Sequence, residues 1–260
     1  MTIIDTHAHL NFSQFHPDLE VVIDRAWGEG LEAIINIGTD LPTSQESINL
    51  ASRYTNIYAT VGLHPHSADD WEKQFNGLKQ LARQPKVVAI GEIGLDYFRN
   101  LSAHDQQIAA FTAQLNLALR VSKPVVLHCR DAYTEMLTLL ESDYIPHLNG
   151  RLPGVIHSFA AGPAYAQRFL KLGFYIGINN MITYPQNTSL EETVKIIGLD
   201  RIILETDCPF LPPLHLKGRR CEPTNIVDVA RKIADIKGVP VDEVEKITTG
   251  NARTLFNLNE

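Results

Sequence analysis

The stretch Val87-Val88-Ala89-Ile90-Gly91-Glu92 joins a run that is apolar on both faces to a single acidic residue. A strand covered on both faces reads as a continuous apolar run, and such strands belong to parallel sheets. A carboxylate at the end of a buried strand is costly unless it is paired or bound to a cation. The stretch therefore predicts a buried parallel strand that ends at Glu92. A salt bridge to a neighbouring strand is the alternative interpretation of this residue.

Seven further apolar runs of strand length accompany this one, and segments of helical period separate them. The strand candidates span residues 2–6, 33–37, 57–61, 87–90, 125–127, 155–157, 174–178 and 202–204. The helix candidates span residues 18–29, 43–53, 105–121, 132–140 and 164–172, and two more follow the last strand at about 224–236 and 241–256. Strands that alternate with helices in this way are joined in parallel by right-handed crossovers.

The number and order of these segments favour a closed barrel. We predict an α/β fold, a single (β/α)8 TIM barrel with an additional C-terminal helix, and one domain over residues 1–260. An open doubly wound sheet would alternate in the same way, but no Gly-x-Gly-x-x-Gly follows the first strand. Candidate ligands also follow strands at both ends of the chain, and a barrel brings those ends together.

Composition narrows the classes of function. The net charge of −7 argues against a broad, sequence-independent grip on duplex nucleic acid, because that mode needs many Lys and Arg side chains. The three cysteines, Cys129, Cys208 and Cys221, lack paired spacing, and the N-terminus lacks a secretion signal. These features predict a cytoplasmic protein. The absence of an apolar run of roughly 18 residues predicts no membrane contact.

Two histidines follow the first strand candidate in Ile3-Ile4-Asp5-Thr6-His7-Ala8-His9. Side chains two apart in an extended chain point the same way, so His7 and His9 can reach one cation. Taken alone, a His-x-His pair can equally be structural, and that interpretation stays open.

Three more candidate ligands stand at the ends of later strands. His128 and His157 each follow apolar strand residues directly, and Asp207 follows the last strand candidate. Loops after the strands of a parallel barrel converge at one end, so these residues predict a metal-dependent hydrolase centre together with Glu92. Asp207 can hold a metal with one oxygen and accept a proton from water with the other, which makes it a candidate general base.

Four polar residues near these ligands are candidates for supporting or substrate-binding roles: His64, Asp96, Arg130 and Glu205. Glu205 can hold a histidine ligand by its far nitrogen, and Asp96 can do the same or contact substrate. Arg130 suits capture of a phosphate, although an ion pair with Asp131 is as good an interpretation. His64 can bind a third cation or a substrate oxygen, or face solvent from a proline-fixed turn.

Taken together, these segments resemble the TatD family of metal-dependent deoxyribonucleases, a branch of the amidohydrolase-like TIM-barrel hydrolases. The resemblance spans essentially the whole chain. It is carried by Ile3-Ile4-Asp5-Thr6-His7-Ala8-His9-Leu10-Asn11, Gly62-Leu63-His64-Pro65-His66, Gly91-Glu92-Ile93-Gly94-Leu95-Asp96, His128-Cys129-Arg130-Asp131-Ala132, His157-Ser158-Phe159, Glu205-Thr206-Asp207-Cys208-Pro209 and Asn251-Ala252-Arg253-Thr254-Leu255-Phe256.

The resemblance implies a centre of two divalent cations, Zn²⁺, Mn²⁺ or Mg²⁺, that hydrolyses phosphodiester bonds in DNA. It implies one cation site made of His7, His9, Glu92 and Asp207. It implies a second made of Glu92, His128 and His157, with Glu92 bridging the two. His64 and Arg130 resemble phosphate-contacting positions, and Asp207 and Glu92 are the expected catalytic residues. The small site and acidic chain favour an exonuclease acting on single-stranded DNA ends, and no obligate protein partner is evident.

Two other classes of function remain open. A metal-dependent hydrolase of C–N or ester bonds in small molecules would share the fold, and a carboxylated lysine in place of Glu92 would favour it. A metal-binding scaffold without catalysis is the third class, and the candidate proton acceptor Asp207 argues against it.

Overall fold

Eight parallel strands follow one another in chain order around a barrel in the computed structural model, which describes residues 3–258. The strands are β1 (Ile3–Ala8), β2 (Leu31–Asn36), β3 (Ile57–Val61), β4 (Val87–Asp96), β5 (Val125–Arg130), β6 (Gly154–Ile156), β7 (Tyr175–Ile178) and β8 (Ile202–Leu204). Each predicted strand overlaps an observed one; Thr2, the first residue of the first prediction, lies outside the described residues. The predicted α/β barrel is confirmed.

Helices connect the strands and follow the last one. They are α1 (Leu19–Gly28), α2 (Leu41–Arg53), α3 (Trp71–Leu81), α4 (His104–Val121), α5 (Tyr133–Asp143), α6 (Pro163–Lys171), α7 (Thr188–Ile196), α8 (Ile226–Lys237) and α9 (Val241–Phe256). Sequence periodicity missed α3 and α7. Helix α3 buries only Leu78, and the nine-residue α7 buries only two apolar residues, Leu190 and Val194, so few core positions mark either helix in the sequence.

The edge strands β1 and β8 meet at their C-terminal ends. Ala8 and Cys208 form an isolated parallel bridge. The backbone N–H of His9 donates to the carbonyl of Cys208 at 2.8 Å, and the N–H of Asp207 donates to the carbonyl of His7 at 2.8 Å. These bonds join the two ends of the sheet and set the His-x-His pair beside Asp207.

Two apolar cores hold the barrel. The larger lies between the strands and the surrounding helices, and the smaller is formed by alternate strand residues such as Ile35, Val126 and Ile203, which face the barrel interior. Leu255 and Phe256, at the end of α9, join the interior core. The predicted C-terminal helix is therefore present, and its last turn covers the N-terminal end of the barrel.

Two further sequence expectations bear on the described residues. Cys129, Cys208 and Cys221 are all buried free thiols. Between residues 3 and 258, every helix is too short or too polar to cross a bilayer.

Candidate metal centre

The His-x-His pair is buried at the end of β1. The pairing of β1 with β2 shifts register between Asp5 and Ala8, and the Asp5 carboxylate fills this irregular segment. Its Oδ1 accepts the backbone N–H of His7 at 3.2 Å, and its Oδ2 accepts the hydroxyl of Thr206 at 2.6 Å. Burial, outweighing these hydrogen bonds, raises the pKa of Asp5 to about 7. Above this carboxylate, the Nε2 atoms of His7 and His9 lie 3.2 Å apart.

Two carboxylate oxygens approach this imidazole pair. Asp207 Oδ1 lies 3.3 Å from His9 Nε2 and 3.8 Å from His7 Nε2. Glu92 Oε2 lies 3.4 Å from His7 Nε2 and 4.0 Å from His9 Nε2. Ligand atoms about 2.0–2.2 Å from a tetrahedral ion lie roughly 3.3–3.6 Å from one another. The spacing of these four side chains therefore suits one divalent cation.

The second oxygen of Glu92 faces a different group of imidazoles. Its Oε1 lies 3.0 Å from His128 Nδ1, 3.6 Å from His64 Nε2 and 3.8 Å from His157 Nε2. The Glu92 backbone holds this position because its N–H donates to the carbonyl of Gly38 at 2.8 Å, away from the β5 ladder. One carboxylate thus presents an oxygen to each of two groups of nitrogens.

Two outer carboxylates stand behind the histidines. Asp96 Oδ2 lies 3.0 Å from His128 Nε2 and 2.8 Å from Nε2 of His66. Glu205 Oε1 lies 3.1 Å from His157 Nδ1. The rings of His128 and His157 therefore each face Glu92 with one nitrogen and an outer carboxylate with the other. Metal-binding histidines are commonly oriented in this way.

The buried carboxylates of the cluster depend on positive charge around them. Burial would raise the pKa of Glu92, but the charges of His64 and His157, with hydrogen bonds from further histidines, hold it well below its usual range. Burial would also raise the pKa of Asp207, and His157 together with a hydrogen bond from His9 lowers it instead. Both groups are therefore ionised, the state in which a carboxylate binds a cation.

The pKa values of two imidazoles in the cluster are shifted in opposite directions. Burial opposes protonation of His157, yet Glu205, Asp207 and Glu92 outweigh it and raise its pKa to about 10. Burial, reinforced by His157, lowers the pKa of His7. The cluster thus favours positive charge beside its carboxylates, and a divalent cation would supply such charge.

These residues fit a metal centre on the chemistry of their donors as well as on spacing. Nδ1 of His7 and Nδ1 of His9 are buried and lack hydrogen-bond partners in the described part of the chain, and Nε2 of each ring faces the cluster. Groups of donor atoms within 4.8 Å of one another include His7, His9 and Asp207. Imidazole and carboxylate donors suit Zn²⁺ and Mn²⁺.

The remaining predicted residues lie around this cluster. His64 is mostly buried beside Glu92, and its Nδ1 accepts the backbone N–H of His66 at 3.1 Å. Arg130 lies at the exposed rim, where its guanidinium stands 3.8 Å from the centre of the Phe98 ring. Among residues 3–258 it makes no ion pair with Asp131 or another acid.

Sequence reasoning assigned no role to His66. The structure groups it with His64 and His128, within reach of Asp96. The signal was present in His64-Pro65-His66, which has the same spacing as His7-Ala8-His9. A proline between the two histidines obscured it, because it removes the regular alternation of an extended strand.

A parallel barrel with histidines and acids at the C-terminal ends of its strands defines a TIM-barrel hydrolase of the amidohydrolase type. Among solved structures, YJJV, a TatD homologue from Escherichia coli K12, superposes with a TM-score of 0.92 at 32% identity, covering 99% of this chain and 98% of that one. The chain belongs to the family described as TatD related DNase, whose sequence pattern matches residues 4–257.

Two relatives extend the comparison. The chain is 39% identical over 258 residues to the uncharacterized metal-dependent hydrolase YabD of Bacillus subtilis, covering 99% of this chain and 100% of that protein. It is 38% identical over 264 residues to the 3'-5' ssDNA/RNA exonuclease TatD of Klebsiella pneumoniae, covering 99% of this chain and 98% of that protein. The similarity therefore runs along the full length of both relatives.

Proposed function

We propose that this chain is a metal-dependent exonuclease that removes nucleotides from the ends of single-stranded DNA or RNA, using two divalent cations. The observation that carries the proposal is the position of Glu92. Its Oε2 lies 3.4 Å from His7 Nε2, and its Oε1 lies 3.0 Å from His128 Nδ1. A carboxylate with one oxygen toward each group of imidazoles supports a dinuclear site bridged by Glu92.

Each residue of the cluster has a role in this proposal. The first cation would be held by His7, His9, Glu92 and Asp207. The second would be held by Glu92, His128 and His157. When bound, the cations would supply positive charge to the phosphoryl oxygens and activate water for attack. The protein would contribute mainly position and preorganised charge.

Asp207 is the proposed general base. Its Oδ1 faces His9, and its side chain keeps 14% of its surface exposed, whereas that of Glu92 keeps 5%. Solvent therefore reaches Asp207 more easily than Glu92, and its pKa, held low by His157 against the effect of burial, leaves it ionised and ready to accept a proton. Arg130 and His64 would contact phosphate oxygens from the rim and the interior of the site.

The choice of substrate is supported by family and by charge. The relatives named as TatD are 3'-5' ssDNA/RNA exonucleases. The net charge of −7 disfavours a wide grip on duplexes, whereas a small polar centre can take a strand end. We propose the 3'-5' direction for this chain on the same similarity.

The experiment uses single-stranded DNA and RNA of one sequence, labelled at either end, with Mg²⁺ or Mn²⁺ and with a chelator. We expect stepwise shortening from the 3' end that the chelator abolishes. Asp207→Asn should lower the rate by about 10²- to 10⁴-fold, the usual contribution of a positioned proton acceptor. Asp200→Asn, an exposed acid outside the cluster, should leave the rate unchanged.

Two outcomes would contradict the proposal. Intact strands in every metal, with turnover of a small amide or ester, would assign the centre to C–N or ester hydrolysis. Shortening that persists in Asp207→Asn would remove that residue as the base.

A further inference from the structure

Two loops at the barrel end that holds the candidate metal centre each carry a pair of exposed apolar side chains. Phe98 and Leu101, in the loop after β4, are 57% and 61% exposed. Phe210 and Leu214, in the loop after β8, are 46% and 42% exposed. Large apolar side chains in water are unfavourable, and beside a site they are candidates for contact with a bound molecule. We call the first pair with Arg130 the β4 surface, and the second pair with Phe12 the β8 surface.

The two surfaces lie on opposite sides of the centre. The strand order β1 to β8 places β4 and β5 half the barrel away from β8 and β1. Asp96 Oδ1 accepts the backbone N–H of Phe98 at 3.0 Å while its Oδ2 contacts His128. The backbone N–H of Phe210 donates to the carbonyl of Asp207 at 2.9 Å. An extended polymer bound across the metal centre would therefore contact the β4 surface on one side of the centre and the β8 surface on the other.

Each surface offers an aromatic face next to a polar group of the site. The Arg130 guanidinium covers the Phe98 ring at 3.8 Å, and no carboxylate within residues 3–258 neutralises it. Phe12 stacks on His9 with ring centres 4.5 Å apart, and Phe210 meets Phe12 edge-on at 6.1 Å. Exposed aromatic rings beside an unpaired guanidinium are what single-stranded nucleic acid uses, with bases on the rings and phosphate on the cation.

We propose that the β4 and β8 surfaces stack unpaired bases on either side of the phosphate that is cleaved. The inference rests on the proposed function and adds the means by which the strand is held. Bases within a duplex cover one another's faces, so these surfaces favour unpaired strands. Stacking on phenylalanine accepts every base, which predicts little sequence preference.

The test measures affinity by fluorescence anisotropy with a labelled oligothymidylate of about ten nucleotides, within the usual range of single-strand sites. Proteins carry Asp207→Asn so that the strand stays intact, with Mn²⁺ present at one fixed salt concentration. Phe98→Ala and Phe210→Ala are compared with Val21→Ala and Ile196→Ala, whose side chains are 56% and 51% exposed on α1 and α7. A second strand of equal length has abasic sugars throughout.

We expect each phenylalanine variant to bind the oligothymidylate about 5- to 150-fold more weakly, and the two controls to bind as the parent does. Phe98→Tyr should restore most of the affinity because it keeps the ring. The base-free strand should bind more weakly than the oligothymidylate and equally to all variants.

Equal affinity of parent and phenylalanine variants for the oligothymidylate overturns the stacking surfaces. A loss of affinity in these variants that is as large for the base-free strand as for the oligothymidylate overturns them too. A dimer in sedimentation experiments that dissociates with Phe98→Ala would assign the β4 surface to a second copy of the chain and also overturn them. If wild-type protein shortens strands but the phenylalanine variants bind them normally, the stacking surfaces are rejected and the proposed function stands. Wild-type protein that neither binds nor cleaves any strand rejects the proposed function, and the inference with it.

Discussion

Glu205 Oε1 lies 3.1 Å from His157 Nδ1, while Nε2 of the same ring lies 3.8 Å from Glu92 Oε1. A carboxylate beside one ring nitrogen commonly fixes which nitrogen of a metal-binding histidine faces the metal, and here Nε2 is the one that faces the cluster. Glu205 also accepts the backbone N–H of Ser158 at 2.5 Å, which fixes the carboxylate itself. The orientation of His157 is therefore set from outside the centre.

We expect Glu205→Gln to weaken binding of Zn²⁺ or Mn²⁺ by about 10- to 100-fold, because residues that orient ligands commonly have effects of this size. Isothermal titration with each metal measures the change. Glu191→Gln, which removes an exposed acid paired with Lys195, is the matched control and should bind metal normally. An unchanged affinity in Glu205→Gln would show that His157 keeps its orientation without this carboxylate.

Gly177 leaves the space that Glu205 occupies. A β-carbon added to Gly177 would lie 2.5 Å from Glu205 Oε2. Gly177→Ala must therefore displace the carboxylate, and we expect destabilisation of about 1–3 kcal/mol, as for other overpacked interiors, together with weaker metal binding. Urea unfolding and metal titration check the two effects. Gly28→Ala, with nothing within 4 Å of the added carbon, should show neither.

Metal should raise the thermal stability of this protein. A ligand that binds only the folded state stabilises it by about 2.7 kcal/mol at 100 times its dissociation constant, or roughly 5–10 °C for a chain of this size. Scanning calorimetry with Mn²⁺ and with a chelator measures the difference. The shift should shrink in Asp207→Asn. A melting temperature that ignores metal would count against a folded-state cation site.

Arg220 ties the loop after β8 to the segment before α1. Its guanidinium donates to Asp18 Oδ1 and Oδ2 at 2.8 and 2.7 Å and to Glu222 Oε1 at 2.9 Å, and it lies over the Phe15 ring. We expect Arg220→Ala to reduce the free energy of unfolding by about 1–3 kcal/mol, since hydrogen bonds to charged groups are lost. Arg219→Ala, at a neighbouring exposed arginine, should change it little.

The effect of Arg220→Ala should depend on pH. The hydrogen bond with Arg220 holds the pKa of Asp18 below its usual value. A carboxylate whose folded pKa is depressed contributes its stabilisation above the unfolded pKa of about 3.9 and loses it as the pH falls through the folded value. The difference between wild type and variant should therefore be full at neutral pH and shrink in acid. Urea unfolding at several pH values would show this, and a difference that grows in acid would contradict it.

The sequence predicted the barrel and the inner part of the cluster for a physical reason. Parallel strands covered on both faces leave continuous apolar runs, and the polar residue that ends each run must lie at the common end of the barrel. His7, Glu92, His157 and Asp207 each follow such a run, and the structure places both histidines 3.4 to 3.9 Å from the carboxylate oxygens of Glu92 and Asp207.

Contacts between loops could not be predicted in the same way. The pairing of His66 with Asp96 depends on β4 continuing six residues past its predicted end at Ile90. The stacking of Arg130, at the end of β5, on Phe98 and the contact of Arg220 with Asp18 join segments far apart in the sequence, and no local pattern encodes such long-range pairing. These contacts become visible only once the barrel fixes where each loop begins.

The last turn of α9 covers one end of the barrel, and every candidate ligand lies at the other. A thiol introduced by Thr254→Cys on the exposed face of α9 would react selectively, since Cys129, Cys208 and Cys221 are buried. Protein tethered to a bead or sensor chip through that position would present the barrel end with the candidate ligands away from the support. The same polarity allows a fluorophore or a fusion partner to be carried at the covered end without obstructing the end that holds the candidate metal centre.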